Sequence, residues 1–374
     1  MPTFTGLGDG PTVLMLHGIG GGHLAFAPQV ETFAGAGYRA VAWDMPGYGH
    51  SAPIEPYTFK GLAQSCITLI EALLAGEQNL PTPHASDADD RPGAGIAAER
   101  GGLDPSPGRP KPGQPPRGAA TRAAAERGGL DSAPGRPQPG QPPRGAATRA
   151  AAERGGLDPA PGRPKPGQPP RGAATRAAAE RGGLILLGHS MGGMVAQEVV
   201  ARRPDLVRAL VLVGTSPAFA RKPDGSYSET FARKFVADRA APLDAGHSMA
   251  EVASRLVPGM VGPAADPAGL RLAEHCMGQV PAATYRRALE ALVTFDRQAD
   301  LRRITVPTLL LAGALDRSAP PAVMQAMAGA IPDGHYVELA GTGHLLNLEA
   351  PEAFDAAVLN FLAGLSTQAG RVLH

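Results

Sequence analysis

Residues 184–193 read Leu-Ile-Leu-Leu-Gly-His-Ser-Met-Gly-Gly, a short apolar run that ends in Gly188-His189-Ser190-Met191-Gly192. A helix-like stretch from Gly193 to Arg202 follows. Between a buried strand and a helix the backbone must reverse within a few residues, leaving little room for side chains beside the turn. Glycines therefore flank Ser190, and its hydroxyl projects from the sheet edge. In a chain with 49 glycines the five-residue pattern alone says little, and a glycine-rich turn with an incidental serine competes with it. Its placement between strand and helix is what constrains the fold, because a buried strand feeding a helix is the repeating unit of a parallel sheet.

The rest of the chain keeps that alternation. Thr12-Val13-Leu14-Met15-Leu16 predicts a buried strand ending at His17-Gly18, and 38–44 predicts the next. Residues 58–75 predict an amphipathic helix, with Leu62, Cys66, Leu69, Ile70 and Leu73 at helical spacing. Strands are further expected at 184–187, 209–213, 308–311 and 336–339. The pattern as a whole predicts an α/β fold built on a doubly wound, mostly parallel sheet. Between Pro217 and Asp296 the alternation gives way to helical segments broken by Pro242, Pro258, Pro263 and Pro281. The expected organisation is a core of 1–80, 184–216 and 297–374, a helical lid at 217–296, and an insertion at 81–183.

The insertion is a different kind of sequence. Glu-Arg-Gly-Gly-Leu-Asp begins at Glu99, Glu126 and Glu153, and Glu-Arg-Gly-Gly-Leu returns at Glu180, so three near-identical units of 27 residues fill 99–179. Such a period can mark a solenoid. Each unit here carries one leucine and no aromatic residue, so stacked copies would have no core to bury. Density of Pro, Gly and Arg instead predicts disorder with extended polyproline patches. The units contribute +8 to a net charge of +1, leaving −7 for the remainder. No aromatic is interleaved for base stacking, so no nucleic-acid partner is expected. A tandem expansion tolerated in a surface loop accounts for the segment, since long loops cost little to close.

Cys66 and Cys276, the two cysteines, make no disulfide framework and fit a reducing compartment. The first residues, Met1-Pro2-Thr3-Phe4-Thr5-Gly6, lack the basic and apolar regions of a signal peptide. No uninterrupted apolar run approaches the roughly 18 residues that span a bilayer. Lys and Arg total 35 against 34 Asp and Glu, so charge alone implies no anionic partner. A soluble, cytoplasmic protein without a membrane partner is expected.

Five landmarks, in order, are His17-Gly18-Ile19-Gly20-Gly21-Gly22, Asp44-Met45-Pro46-Gly47-Tyr48-Gly49-His50-Ser51, Gly188–Gly192, Asp316 after the strand at 309–311, and Gly343-His344 ahead of Asn347-Leu348-Glu349-Ala350-Pro351. With them the chain resembles the α/β-hydrolase family over about 12–80 and 184–362. The first resembles the family's oxyanion loop, the second its D-x-x-G-x-G-x-S turn, and the third its nucleophile elbow. Two features depart from the pattern. Only eleven residues precede Thr12, which leaves little for the usual antiparallel strands. Where relatives often carry Gly-Glu-x-Asp, this chain has Gly313-Ala314-Leu315-Asp316, without the supporting carboxylate.

The resemblance implies Ser190 as nucleophile, His344 as base and Asp316 as the acid that orients it, in the order Ser…Asp…His. A serine hydroxyl is nearly inert at neutral pH and needs such a base. Of ten histidines, His17 is expected to make a structural hydrogen bond in the oxyanion loop, and His189 to face away from its neighbour. His23 is expected as a first-helix surface or pocket residue, His50, His84, His247, His275 and His335 in turns, the insertion, the lid or ahead of the last strand, and His374 at the terminus. Asp44 and Asp296 are the rival acids; the first is expected to pin the glycine-rich turn and the second to cap the lid. For Asp316 the competing role is a helix cap before Ser318-Ala319-Pro320. Backbone N–H groups of Ile19 and Met191, or Gly20 in place of Ile19, are the expected oxyanion donors. Met249, Leu256, Met260, Met277 and Tyr285 are candidates to line an apolar acyl pocket.

A serine in this place excludes the dehalogenase and epoxide-hydrolase branches, which need an aspartate. What the resemblance implies is acyl transfer to water from an ester, lactone or thioester, nearest to enol-lactonases and small esterases. No metal or cofactor is expected, the partner is a small-molecule ester or lactone, and the oligomeric state stays open. Alternatives are a carbon–carbon bond hydrolase, a cofactor-free perhydrolase, a non-catalytic binding protein like the hydrolase-fold hormone receptors, or a carrier for functional repeats.

Overall fold

The computed structural model describes residues 1–77, 182–221 and 225–370. The chain divides into two units, 1–81 with 162–374 and 82–161. The second unit lies outside the described residues, as do the repeats at 99–179 and most of the insertion at 81–183.

The elements in order are β1 (Phe4–Leu7), β2 (Thr12–Leu16), α1 (Ala27–Gly35), β3 (Arg39–Trp43), α2 (Phe59–Glu77), β4 (Leu184–His189), α3 (Met191–Arg202) and β5 (Val207–Val213). Four helices follow, α4 (Glu229–Asp244), α5 (Met249–Leu256), α6 (Pro267–Gly278) and α7 (Ala282–Leu292). The chain then returns through β6 (Thr308–Gly313), α8 (Pro321–Ala330), β7 (Gly334–Leu339), α9 (Leu346–Glu349) and α10 (Pro351–Gly370). The sheet order is β1-β3-β2-β4-β5-β6-β7. Every pairing is parallel except β1 on β3, which runs from Phe4 opposite Trp43 to Leu7 opposite Ala40.

Side chains along a strand alternate between the two faces, and both faces are covered. Leu14, Leu16, Leu184, Leu186, Leu210 and Leu212 join one core with Leu62, Ile70, Val195 and Met324 of α2, α3 and α8. Val13, Met15, Ile185, Leu187, Val211 and Val213 join the other, with Phe33 of α1 and Phe354 and Val358 of α10. This is the doubly wound arrangement that the alternating sequence predicts. The amino edge is a single four-residue strand, and all its residues are exposed. Helix α2 qualifies a second expectation. Although the sequence holds no uninterrupted apolar run, the window Phe59–Gly76 is long and apolar enough to cross a membrane by length and mean hydropathy, 1.2. Its apolar residues Leu62, Cys66, Leu69, Ile70 and Leu73 are buried in the core beside the sheet.

Helices α4 to α7 stand between β5 and β6, in the stretch where the alternation stops. Ser248 and Glu251 form a reciprocal capping box at the start of α5, and Asp266 caps α6 through the N–H groups of Ala268 and Gly269. Pro281 precedes α7, whereas Pro242, expected to break a helix, does not. It sits inside the last turn of α4, which ends two residues later at Asp244.

Candidate active site

Ser190 stands between β4 and α3 with φ 53° and ψ −119°, a left-handed conformation that costs a non-glycine residue strain. The turn is held from several sides. Ser190 N–H donates to Val213 O at 2.9 Å, and Thr215 Oγ donates to Ser190 O at 2.8 Å. The flanking glycines are required by close approach: a Cβ on Gly188 would lie 2.5 Å from Gly192 O, and one on Gly192 would lie 2.1 Å from Leu16 O. The same crowding brings the loop after β2 onto the serine, since a Cβ on Gly18 would lie 3.0 Å from Ser190 Cβ.

His344, in the loop after β7, places Nε2 3.0 Å from Ser190 Oγ. Its Nδ1 lies 2.7 Å from Asp316 Oδ2, and both residues are buried. A carboxylate at Nδ1 fixes the proton there, so Nε2 presents its lone pair to the serine O–H. Asp316 also performs the competing role read from its sequence. Its other oxygen accepts the N–H groups of Ser318 at 2.7 Å and Ala319 at 2.9 Å. Burial pushes the Asp316 pKa up, but the His344 contact and these two N–H donors more than offset it and hold the carboxyl below its usual value. The segment before Asp316, which lacks the supporting carboxylate, is tied by its backbone: Ala314 N–H donates to Leu339 O and Leu315 N–H to Thr342 O.

The rival acids are engaged elsewhere. Asp44 accepts from Thr3 Oγ1, His23 N–H and His23 Nδ1, and its carboxylate also packs on the glycine turn, where a Cβ on Gly49 would lie 2.4 Å from its Oδ2. Asp296 pairs with Arg221 and accepts from Gln298 N–H. Among the other histidines, His247 contacts Glu251 and His335 contacts Asp333, while His84 and His374 lie outside the described residues.

His17 and His189 are buried structural residues. His17 Nε2 accepts Met45 N–H at 2.9 Å, which leaves Nδ1–H to donate to Gly18 O at 2.8 Å. Gly21 N–H donates to the same carbonyl. Because a trans peptide holds its C=O and N–H in opposite directions, these two donors turn Ile19 N–H the other way. Tyr48 Oη–H fixes the next peptide by donating to Ile19 O at 2.9 Å. Ile19 and Gly20 line the cavity beside Ser190, and Met191 opens α3, whose first N–H groups have no partner within the helix. His189 Nε2–H donates to His344 O at 2.8 Å, steadying the histidine loop from below. Burial lowers the pKa of His17 to about 4 and of His189 to about 3, so both rings are neutral.

Glu349 is a site residue that the sequence reading used only as a landmark. Its buried carboxylate accepts Gly343 N–H at 2.7 Å and Leu345 N–H at 2.8 Å, on either side of His344. It also accepts Gly262 N–H at 2.6 Å, and His344 N–H donates to Met260 O at 2.6 Å. One carboxylate thus clamps the histidine loop to the segment between α5 and α6.

Ser190 and His344 open onto a cavity of about 50 Å³, whose walls include Ile19, Val257, Met260, Met277 and Leu345. Met260 and Met277 line it as expected. Met249 and Tyr285 are instead buried in the core, Leu256 packs against that core, and none of the three lines the cavity. Among the described residues no cluster of three or more His, Cys, Asp or Glu is placed to hold a metal ion.

Several known proteins have similar sequences. The putative carbamate hydrolase RutD of Pseudomonas savastanoi pv. phaseolicola is 32% identical over 182 residues, 47% of this chain and 66% of RutD. The pimeloyl-(acyl-carrier protein) methyl ester esterase of Aromatoleum aromaticum is 32% identical over 189 residues, 47% of this chain and 71% of that enzyme. Polyketide synthase ThaQ of Burkholderia thailandensis is 32% identical over 183 residues, but the chain spans only 8% of its length. Among solved structures, the enol-lactonase from Burkholderia xenovorans LB400 superposes with a TM-score of 0.60 at 18% identity, covering 97% of this chain and 96% of that one. The sequence profile described as alpha/beta hydrolase fold matches residues 11–80 and 174–351, most of the chain outside the repeats, and the chain belongs to the α/β-hydrolase family.

Proposed function

We propose that this chain is a serine hydrolase that cleaves a carboxylic ester or lactone through an acyl-enzyme on Ser190. The observation that carries this reading is the continuous hydrogen-bonded line from Asp316 Oδ2 through His344 to Ser190 Oγ, ending at an apolar cavity. Ser190 Oγ attacks the ester carbonyl carbon as its proton passes to His344 Nε2, and Asp316 stabilises the imidazolium that forms. The N–H groups of Ile19 and Met191 serve the oxyanion of the tetrahedral intermediate. Collapse of that intermediate breaks the bond to the alkoxy oxygen, which takes the proton from His344. Water then repeats the sequence on the acyl-serine, releasing the acid and restoring Ser190. The carbamate hydrolase, methyl ester esterase and enol-lactonase among the similar proteins are named for cleavage beside an acyl carbon, which supports the same bond class here.

A fluorophosphonate probe with intact-mass detection tests the reading, together with turnover of p-nitrophenyl butyrate. One covalent adduct on the wild type, none on Ser190→Ala, and a loss of roughly 10⁴-fold or more in kcat for that variant are expected. Unchanged hydrolysis by Ser190→Ala would overturn the assignment. Absence of labelling in the wild type would favour a binding protein on this fold.

A further inference from the structure

The walls of the cavity beside Ser190 carry information that the hydrogen-bonded line does not. Among the described residues that line it there is no Lys, Arg, Asp or Glu. Two of the polar side chains that reach it are already committed. Asn347 donates its amide to Ala25 O at 2.7 Å, and His189 spends Nε2–H on His344 O. His189 is neutral because burial lowers its pKa to about 3, and burial raises the Cys276 thiol to about 11, so neither supplies a charge near neutral pH. The space is also small: about 50 Å³, against the roughly 150 Å³ of a dry cavity that takes up benzene. Met277 sets one wall, packed so closely on the oxyanion-like loop that a Cβ on Gly20 would lie 3.3 Å from its Sδ.

We propose that this cavity receives a short, uncharged, apolar acyl group, and that the enzyme discriminates strongly against acyl groups ending in a carboxylate. The inference rests on the ester-hydrolase reading above and narrows it, setting the chain apart from hydrolases whose substrate carries a second carboxylate. A carboxylate brought into this cavity would leave water and meet no lysine or arginine among the residues that line it. Desolvation of an unpaired charge is among the costliest events in a protein interior. A propyl tail would fill the same volume and gain from burial.

The test uses p-nitrophenyl butyrate and p-nitrophenyl hemisuccinate, in which a larger, charged carboxylate replaces the terminal methyl. Full-length protein is assayed on both, with spontaneous hydrolysis of the hemisuccinate subtracted. The expected kcat/KM for the hemisuccinate is roughly a hundredfold or more below that for the butyrate. Met277→Lys, which puts an ammonium on the cavity wall in a side chain of similar shape, should narrow that ratio by roughly tenfold or more. Equal rates on the two esters in the wild type overturn the proposal, whether or not the variant folds. Labelling of Ser190 by the fluorophosphonate without turnover of the butyrate overturns it too, and leaves the hydrolase reading standing. Failure of both labelling and turnover sinks the hydrolase reading and this one with it.

Discussion

At the scale of single residues, the site rests on carboxylates that each serve more than one partner. Asp316 divides its oxygens between His344 and the Ser318–Ala319 turn, so one group makes both the histidine contact and the cap that its sequence position suggests. Ser190 was legible from the elbow between an apolar strand and a helix, and Asp316 and His344 from the order of the family's landmarks, since the strand before His344 is half-exposed and carries His335 and Glu338. Glu349 was not, because its partners at positions 262, 343 and 345 are brought together only by the fold, and a glutamate in a helical stretch reads as a solvated face. Glu349→Gln replaces one acceptor oxygen by a donor facing N–H groups. Loss of charged hydrogen bonds should lower unfolding free energy by about 3 kcal/mol in urea titrations. Misplacement of His344 should lower kcat roughly ten- to a hundredfold, with a smaller change in KM. Wild-type kcat and stability in this variant would show that the loop is positioned by other contacts.

At the scale of elements, strands β2, β4, β5 and β6 were readable because burial on both faces makes them continuous apolar runs. Phe4–Leu7 was not, since a short exposed edge strand containing glycine carries no periodic signal and exists through its pairing with β3. The opening of β4 is the most informative boundary. Leu184, the last residue of the final Glu-Arg-Gly-Gly-Leu, is fully buried as the first residue of β4, and a Cβ on Gly183 would lie 2.8 Å from Leu206 O. The last residue of that fragment, Leu184, is therefore part of the sheet. Deletion of 99–179 is in phase: it joins Ala98 to Glu180 and leaves Gly182-Gly183-Leu184 in place. The deleted residues hold three leucines and no aromatic, and they shorten the connection from α2 to β4 about fourfold, which changes closure by only about 1 kcal/mol. We expect a Tm within a few degrees of the parent, near-normal esterase turnover and a net charge of −7. A deletion variant that fails to fold would mean that 99–179 packs on the remaining chain.

At the scale of the whole molecule, the sheet buries two neutral histidines, one at the end of β2 and one beside the nucleophile, and this makes stability depend on pH. His17 and His189 titrate near 6.5 when unfolded, but in the fold burial lowers them to about 4 and about 3. Between those values the unfolded chain binds more protons than the native one, so acid favours unfolding. The contribution of both rings is fully present above about pH 6.5 and is lost progressively as pH falls towards 4 and below. Asp316 and Asp44, held below their usual range, extend the loss at still lower pH, while Asp355, raised by burial, opposes it. Each histidine accounts for roughly 3 to 5 kcal/mol over its range, comparable with the whole stability of many domains. Urea midpoints measured from pH 8 to pH 4 should therefore be level at first and then fall below pH 6.5. His189→Gln keeps a donor for His344 O but cannot take up a proton, so its midpoint should fall less steeply across the same range. A wild-type midpoint that stays level down to pH 4 would mean that these rings accept protons in the folded state, and that the interior around β2 and β4 is open to water.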